Sequence, residues 1–148
     1  MILRVIKYSL RKILTIKYRF IFKNRSLVVG YGTEILCRNV SLGAQVEIDQ
    51  RVFIGGECPG SLSVGDNSKI NSDVKLDTTG SLQIGKNTVV SEYAIIYTHG
   101  HGGDPYARPR PYSLVIGDNV WIGARALIMP SVRVIPDGTI VPAGAVIR

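Results

Sequence analysis

Both histidines of this 148-residue chain fall in one short segment, T-H-G-H-G-G-D-P-Y-A-R-P-R-P, residues 98–111. Histidine is the side chain whose unperturbed titration lies near neutrality, so a positioned His is a natural general base. The glycines and prolines around His99 and His101 exclude regular structure and suit an exposed, partly stiffened loop. Spacing alone leaves a second reading open, in which both histidines are solvent-exposed and have no role. No paired Ser/His/Asp pattern accompanies them to suggest a covalent intermediate. Cys37 and Cys58 lack metal-type spacing, and nothing suggests a disulfide framework or an oxidising compartment.

The elements that must position this loop are legible as a six-residue beat. Aliphatic residues recur at Leu36, Leu42, Ile48 and Ile54, at Val64, Ile70 and Leu76, and at Ile84, Val90 and Ile96. The beat resumes at Ile116, Ile122 and Ile128, slips by one residue, and continues at Ile135, Val141 and Ile147. Gly often follows the aliphatic residue, and a small or β-branched side chain stands four positions after it, including Val46, Cys58, Ser68, Thr88 and Ala126. A period of six is neither the 3.6 of a helix nor the 2 of an ordinary strand. It fits a parallel β-helix, an all-β stack in which each hexapeptide is a short strand plus a turn and successive rungs bury one continuous core. About five coils fit this length. Cys58 on a small, inward-facing position then reads as a packed thiol. Short interruptions at 57–61 and 77–82 look like turn insertions that keep the register. The long one, a protruding loop at about 98–113, holds the histidines, and insertions of this kind lie on the outside, often on the binding face.

The net charge of +7 is unevenly placed. Residues 1–25 carry eight basic side chains and no acidic one, which leaves ten basic and eleven acidic groups in 26–148. The body therefore lacks the basic surface and reading element of a nucleic-acid binder. Segment 1–25 reads as a basic amphipathic helix, with Ile2, Ile6, Leu10, Ile13 and Phe20 near one stripe, and 26–148 reads as the β-helix domain. Its longest uncharged stretch, 13–16, is far too short for a transmembrane helix or a signal peptide. Two readings remain: a helix packed across an end of the β-helix or against another subunit, or a helix resting on an anionic membrane surface.

The segment 115–146, V-I-G-D-N-V-W-I-G-A-R-A-L-I-M-P-S-V-R-V-I-P-D-G-T-I-V-P-A-G-A-V, resembles the hexapeptide-repeat acyltransferases. The likeness is nearest to small acetyltransferases acting on sugar or antibiotic hydroxyls, including those found with bacterial surface-polysaccharide genes. It rests on a His-bearing loop before N-V-W-I-G, on Pro130 and on the Ala143–Gly144–Ala145 step, and the beat extends it over about 27–148. The resemblance implies a left-handed parallel β-helix, against the usual right-handed crossover, and a homotrimer with active sites at subunit interfaces. It implies acetyl-CoA as co-substrate, no metal, and a loop His that takes the proton of the acceptor for direct attack on the thioester. His101, between Gly100 and the Gly102–Gly103–Asp104–Pro105 run, fits that role better than His99. Trp121 corresponds to a side chain lining the acyl-donor channel, with plain outward packing as the alternative. Gly123, Ala124 and Ala143 match positions along the pantetheine arm, where small residues let a thin ligand approach the backbone. Arg125, Arg133 and Arg148 are candidates for CoA phosphates, or solvated charges on turns. Ser72, Asp73 and Asp77 are candidate acceptor contacts on the coil below.

One departure stands out: relatives commonly continue past A-G-A-V with a tail that helps hold CoA and covers the open end of the stack, whereas this sequence stops at Arg148. Either the N-terminal helix or a partner is then expected to cover that end, or the polypeptide is shortened relative to its relatives. The leading expectation is O-acetylation of a saccharide hydroxyl in a surface polysaccharide or its precursor, in the cytoplasm and peripheral to the inner membrane. Its alternatives are N-acylation of an amino-sugar nucleotide and a non-catalytic β-helix scaffold or inactive relative. A hydratase of the carbonic anhydrase type, which shares the β-helix, needs three histidine ligands, and the chain has two.

Overall fold

The computed structural model describes residues 2–57 and 60–148, and Cys58 lies outside the described residues. Successive hexapeptides form short strands on three faces of a prism. The first face stacks Val28–Val29, Glu47–Ile48, Lys69–Ile70, Val89–Val90, Trp121–Ile122 and Ile140–Val141. The second stacks Glu34–Ile35, Phe53–Gly55, Lys75–Asp77, Ile95–Ile96, Leu127–Ile128 and Val146–Ile147, and the third has five strands, from Asn39–Leu42 to Val134–Ile135. Every pairing within these faces is parallel and in register, as in Val90↔Ile122 and Ile96↔Ile128. The result is a parallel β-helix of five to six coils.

The beat maps directly onto the core. Ile48, Ile54, Ile70, Leu76, Val90, Ile96, Ile122 and Ile128 all point inward and are fully buried. Stacking identical positions buries a continuous aliphatic column, which is why repeats too small to hold a core alone are stable together. Small polar side chains at the inner corners satisfy their own bonds: the Ser68 hydroxyl donates to the Gly85 carbonyl (2.7 Å) and the Thr88 hydroxyl to Gly117 (2.9 Å). Turns carry residues in the left-handed region, among them Asn67, Asn87 and Asn119. Asn tolerates this region better than most residues, and their side-chain amides form a ladder at 3.3 Å steps.

The first member of the beat differs from expectation. Leu36 is exposed, and Ile35 pairs with Ile54 in its place. The next inward residue, Leu42, is therefore seven positions on, because the corner between the second and third faces takes an extra residue. Among the described residues that corner absorbs every irregularity of the repeat: 36–38, 56–57 and 60, 78–80, 97–112 and 129–133 all lie between a strand of the second face and one of the third. The histidine loop is the longest of these insertions and sits on a shelf made by the others.

The N-terminal helix, Ile2–Ile21, covers the first rung and not the last. The short link 22–27 ties it to Val28, so it stays at the end of the stack where the chain enters. Leu14, Tyr18 and Phe22 pack on the core there, and polar groups meet the unpaired backbone of the open rung. The Thr15 hydroxyl bridges the Val29 carbonyl and N–H (both 3.0 Å), Arg19 Nε donates to the Leu27 carbonyl (2.6 Å), and the Ile35 N–H donates to the Tyr18 hydroxyl (3.3 Å). Asn24 then closes the corner with bonds to the Leu42 and Gly43 carbonyls. Among the described residues no helix is long and apolar enough to cross a membrane.

Candidate active site

Asp77 ends a strand of the second face, and the chain of the next rung leaves the stack directly above it. Its carboxylate collects donors from both levels. Oδ1 accepts the Thr79 N–H (3.1 Å) and hydroxyl (2.6 Å), and Oδ2 accepts the Thr98 N–H (2.6 Å) and the His99 Nδ1–H (2.8 Å). Burial opposes the charge on Asp77, but the bonds from Thr79, Thr98 and His99 outweigh it and hold the carboxyl below its ordinary range. Its depressed folded value means that Asp77 contributes stability above the unfolded value near pH ~4 and loses it as pH falls through the folded one. We therefore expect the melting-temperature gap between the native chain and Asp77→Asn to be constant around neutrality. It narrows only as wild-type Asp77 protonates below about pH 4, and a gap that widens in acid would contradict this. Thermal melts of both proteins across pH measure it.

The loop is pinched where it begins and ends. The Tyr112 N–H donates to the Thr98 carbonyl (2.7 Å), and His99–Gly100 pairs antiparallel with Arg110–Pro111, a short regular neck where only irregular loop was expected. Under the neck lies Gly80, whose N–H donates to the Thr98 hydroxyl (2.9 Å). Beyond it, Asp104 caps a turn by accepting the Tyr106 N–H (2.9 Å) and, through its carbonyl, the Ala107 N–H (3.1 Å). That turn aims the Ala107 carbonyl at His101, which donates its Nδ1–H over 2.7 Å. A carbonyl can only accept, so the neutral ring carries its proton on Nδ1 and its lone pair on Nε2. The two imidazoles meet edge to face with centroids 5.2 Å apart. They open on a cleft with Tyr97, Tyr112, Pro130 and Arg133. Arg133, a candidate for CoA phosphate, stacks its guanidinium over the Tyr112 ring (4.1 Å) and donates to the Pro130 carbonyl, so it belongs to the histidine cleft.

Trp121 lies elsewhere, in a strand of the first face. Its ring is half exposed and its indole N–H donates to the Ser91 hydroxyl (2.9 Å). With Gly123, Ala124, Ala143, Asn87 and Asn119 it lines an open, mainly apolar groove of about 820 Å³. A Cβ on Gly123 would sit 2.5 Å from the Ala143 nitrogen, so only glycine fits between these turns. The sequence-derived donor residues thus converge, except that Arg125 packs over Tyr93 at a corner (5.5 Å) and Arg148 follows the last strand, Val146–Ile147. Of the three acceptor candidates only Asp77 reaches the histidines. Asp73 is held by Arg51 in a two-pronged pair (2.6 and 2.7 Å), and the Ser72 hydroxyl donates to Asp49 (2.9 Å). Thr79, Gly80, Thr98 and Tyr112 were not foreseen, because their roles depend on stacking between rungs. Among the described residues no cluster of His, Cys, Asp and Glu could hold a metal ion.

No family model matches the chain. Over 102 residues it is 28% identical to WbbJ of Escherichia coli (strain K12), named as an O-acetyl transferase of lipopolysaccharide biosynthesis, which covers 60% of this chain and 52% of WbbJ. Over 90 residues it is 33% identical to WcaF of the same strain, named as a colanic acid biosynthesis acetyltransferase, with coverage of 57% and 47%. The chain thus spans about half the length of the curated relatives it matches. In structure it superposes on AntD, an N-acyltransferase from Bacillus cereus solved with dTDP and 3-hydroxybutyryl-CoA, at a TM-score of 0.72 and 21% identity, covering 84% of this chain and 71% of AntD. In sequence the chain resembles polysaccharide-related acetyltransferases, and in fold it is a β-helix of the acyltransferase kind.

Proposed function

We propose that this protein is an acetyl-CoA-dependent O-acetyltransferase acting on a saccharide hydroxyl of a surface polysaccharide or its precursor, with His101 as general base. The observation that carries the reading is the His101 Nδ1–H on the Ala107 carbonyl, which leaves Nε2 as a fixed proton acceptor in an open cleft. Nε2 takes the hydroxyl proton as the oxygen attacks the thioester carbonyl. Collapse of the tetrahedral adduct breaks the C–S bond, and the imidazolium returns the proton to the departing thiolate. The products are the acetyl ester and free CoA, with no acyl-enzyme. The Asp77–His99 pair packs against the His101 ring and fixes the start of the loop to the rung below. An amine acceptor is compatible with the same base, and the fold shared with an N-acyltransferase favours keeping it as the second reading.

The groove of Trp121, Gly123, Ala124 and Ala143 is the proposed acyl-donor site, its small residues leaving backbone open to a thin pantetheine arm. It lies on the first face, while the histidines lie at the corner of the second and third. A homotrimer would set the groove of one subunit against the histidine loop of the next, and the separation of the two halves supports that assembly. Acetyl-CoA at about a hundred times its Kd should stabilise the protein by about 2.7 kcal/mol, with free thiol released when acceptor is added. Trp121→Ala should remove most of that stabilisation. No shift at millimolar acetyl-CoA would leave the non-catalytic scaffold as the better account. Mixing Trp121→Ala with His101→Ala subunits should restore part of the activity if the site is shared between subunits, and none if it is not.

A further inference from the structure

The N-terminal helix uses one side to close the β-helix and leaves its more apolar side unpartnered. Thr15, Tyr18 and Phe22 face the first rung. Ile6, Leu10, Ile13, Ile16, Phe20 and Ile21 are exposed, with Ile13 at 62% and Phe20 at 87%. At 3.6 residues per turn these six occupy an arc of about 140° on the side opposite the packing face. The stripe that the sequence marks as apolar is therefore not the stripe that packs, because the open rung needs hydrogen-bonding groups and takes Thr15, Tyr18 and Arg19. Lone exposed apolar residues need no explanation, but a contiguous patch rimmed by charge marks an interaction surface.

The charge around the patch selects the partner. By the same spacing Lys17 falls within this arc and Lys12 at its border, Lys23 follows the helix end, and no acidic residue occurs before Glu34. A second copy of the same helix would bring like charge against like charge, whereas an anionic lipid surface supplies the missing counter-charge and a place for the apolar stripe. The Lys12 ammonium lies over the Tyr8 ring (4.7 Å) and the Lys17 ammonium over the Tyr18 ring (5.3 Å), so aromatic faces hold both charges at the helix surface. We propose that this helix docks the protein on an anionic membrane surface, lying in the interface with Ile13 and Phe20 inserted among the acyl chains. The proposal is independent of the acetyltransferase reading.

Co-sedimentation of the full chain with vesicles of equal parts phosphatidylglycerol and phosphatidylcholine, against pure phosphatidylcholine, tests it. Binding should be at least about tenfold stronger to the anionic vesicles and should fall as salt is raised. Ile13→Glu with Phe20→Glu should reduce it by about tenfold or more, and Lys12→Glu with Lys23→Glu should remove the preference for anionic lipid. Both sites are exposed, so both variants should melt with the native chain and keep any response to acetyl-CoA, which separates this outcome from failure of the proposed activity. Equal binding to both vesicles, no binding at low salt, or unchanged binding by Ile13→Glu/Phe20→Glu overturns the proposal. So does a larger assembly in solution that dissolves in that variant while vesicle binding is absent.

Discussion

Replacing His101 by Ala should lower turnover by at least about a hundredfold while leaving the melting temperature and the acetyl-CoA response near those of the native chain. His101 makes its defining bond within the loop, to Ala107, and supports no strand of the stack, so its loss should not unfold the body. His101→Gln keeps a polar side chain of similar reach but cannot accept and return a proton, and should be as slow as Ala. The same change at His99 should be milder, because His99 Nδ1–H is committed to Asp77 and its part is to buttress the loop. Steady-state release of CoA thiol with a saccharide acceptor measures all three. A loss below about tenfold at His101 with a loss above it at His99 would move the base to His99 and make Asp77 its orienting carboxylate.

Gly80→Ala should destabilise the protein by about 3 kcal/mol, an overpacking cost in a site with no free volume. That corresponds to a fall of roughly 10 °C in melting temperature for a chain of this size. The added Cβ would stand 1.9 Å from the Tyr112 carbonyl oxygen and 2.7 Å from that of Thr98, the two residues that pinch the histidine loop. Something must move, and the neck is what borders the site. Turnover should therefore fall further than the loss of folded protein explains, even well below the melting point. Gly103→Ala provides the control: its Cβ would meet nothing within 4 Å and its backbone is not in the left-handed region, so stability should change by no more than about 0.5 kcal/mol. Equal melts for Gly80→Ala and the native chain would show that the neck is more yielding than its geometry implies.

The histidine loop and the Trp121 groove were legible to different depths. His99 and His101 were visible as the chemistry-bearing residues because the repeat fails around them. Trp121, Gly123, Ala124 and Ala143 were marked by resemblance, and the fold gathers them in one groove. Asp77 was named only as an acceptor contact. Its hold on His99 depends on two rungs lying one above the other, 22 positions apart in the chain. Thr79, Gly80, Thr98 and Tyr112 carry no signature in one dimension, since an ordinary Thr or Gly gains its meaning from the backbone stacked on it. Ser72 and Asp73, named as acceptor contacts on the coil below, turn the corner between the first and second faces and bind Asp49 and Arg51 there.

What the sequence by itself determined is the stack: a six-residue period selects which side chains point inward, and an inward residue on a repeating strand has one way to be buried. Only the tertiary structure decided where the exceptions go. Every insertion falls at the corner between the second and third faces, so one edge of the prism carries the whole histidine loop and its shelf. The helix was legible as amphipathic, but not which side would pack. That choice followed from the open rung, whose free N–H and C=O groups are met by Thr15, Tyr18 and Arg19 while Leu14 and Phe22 pack on the core beside them.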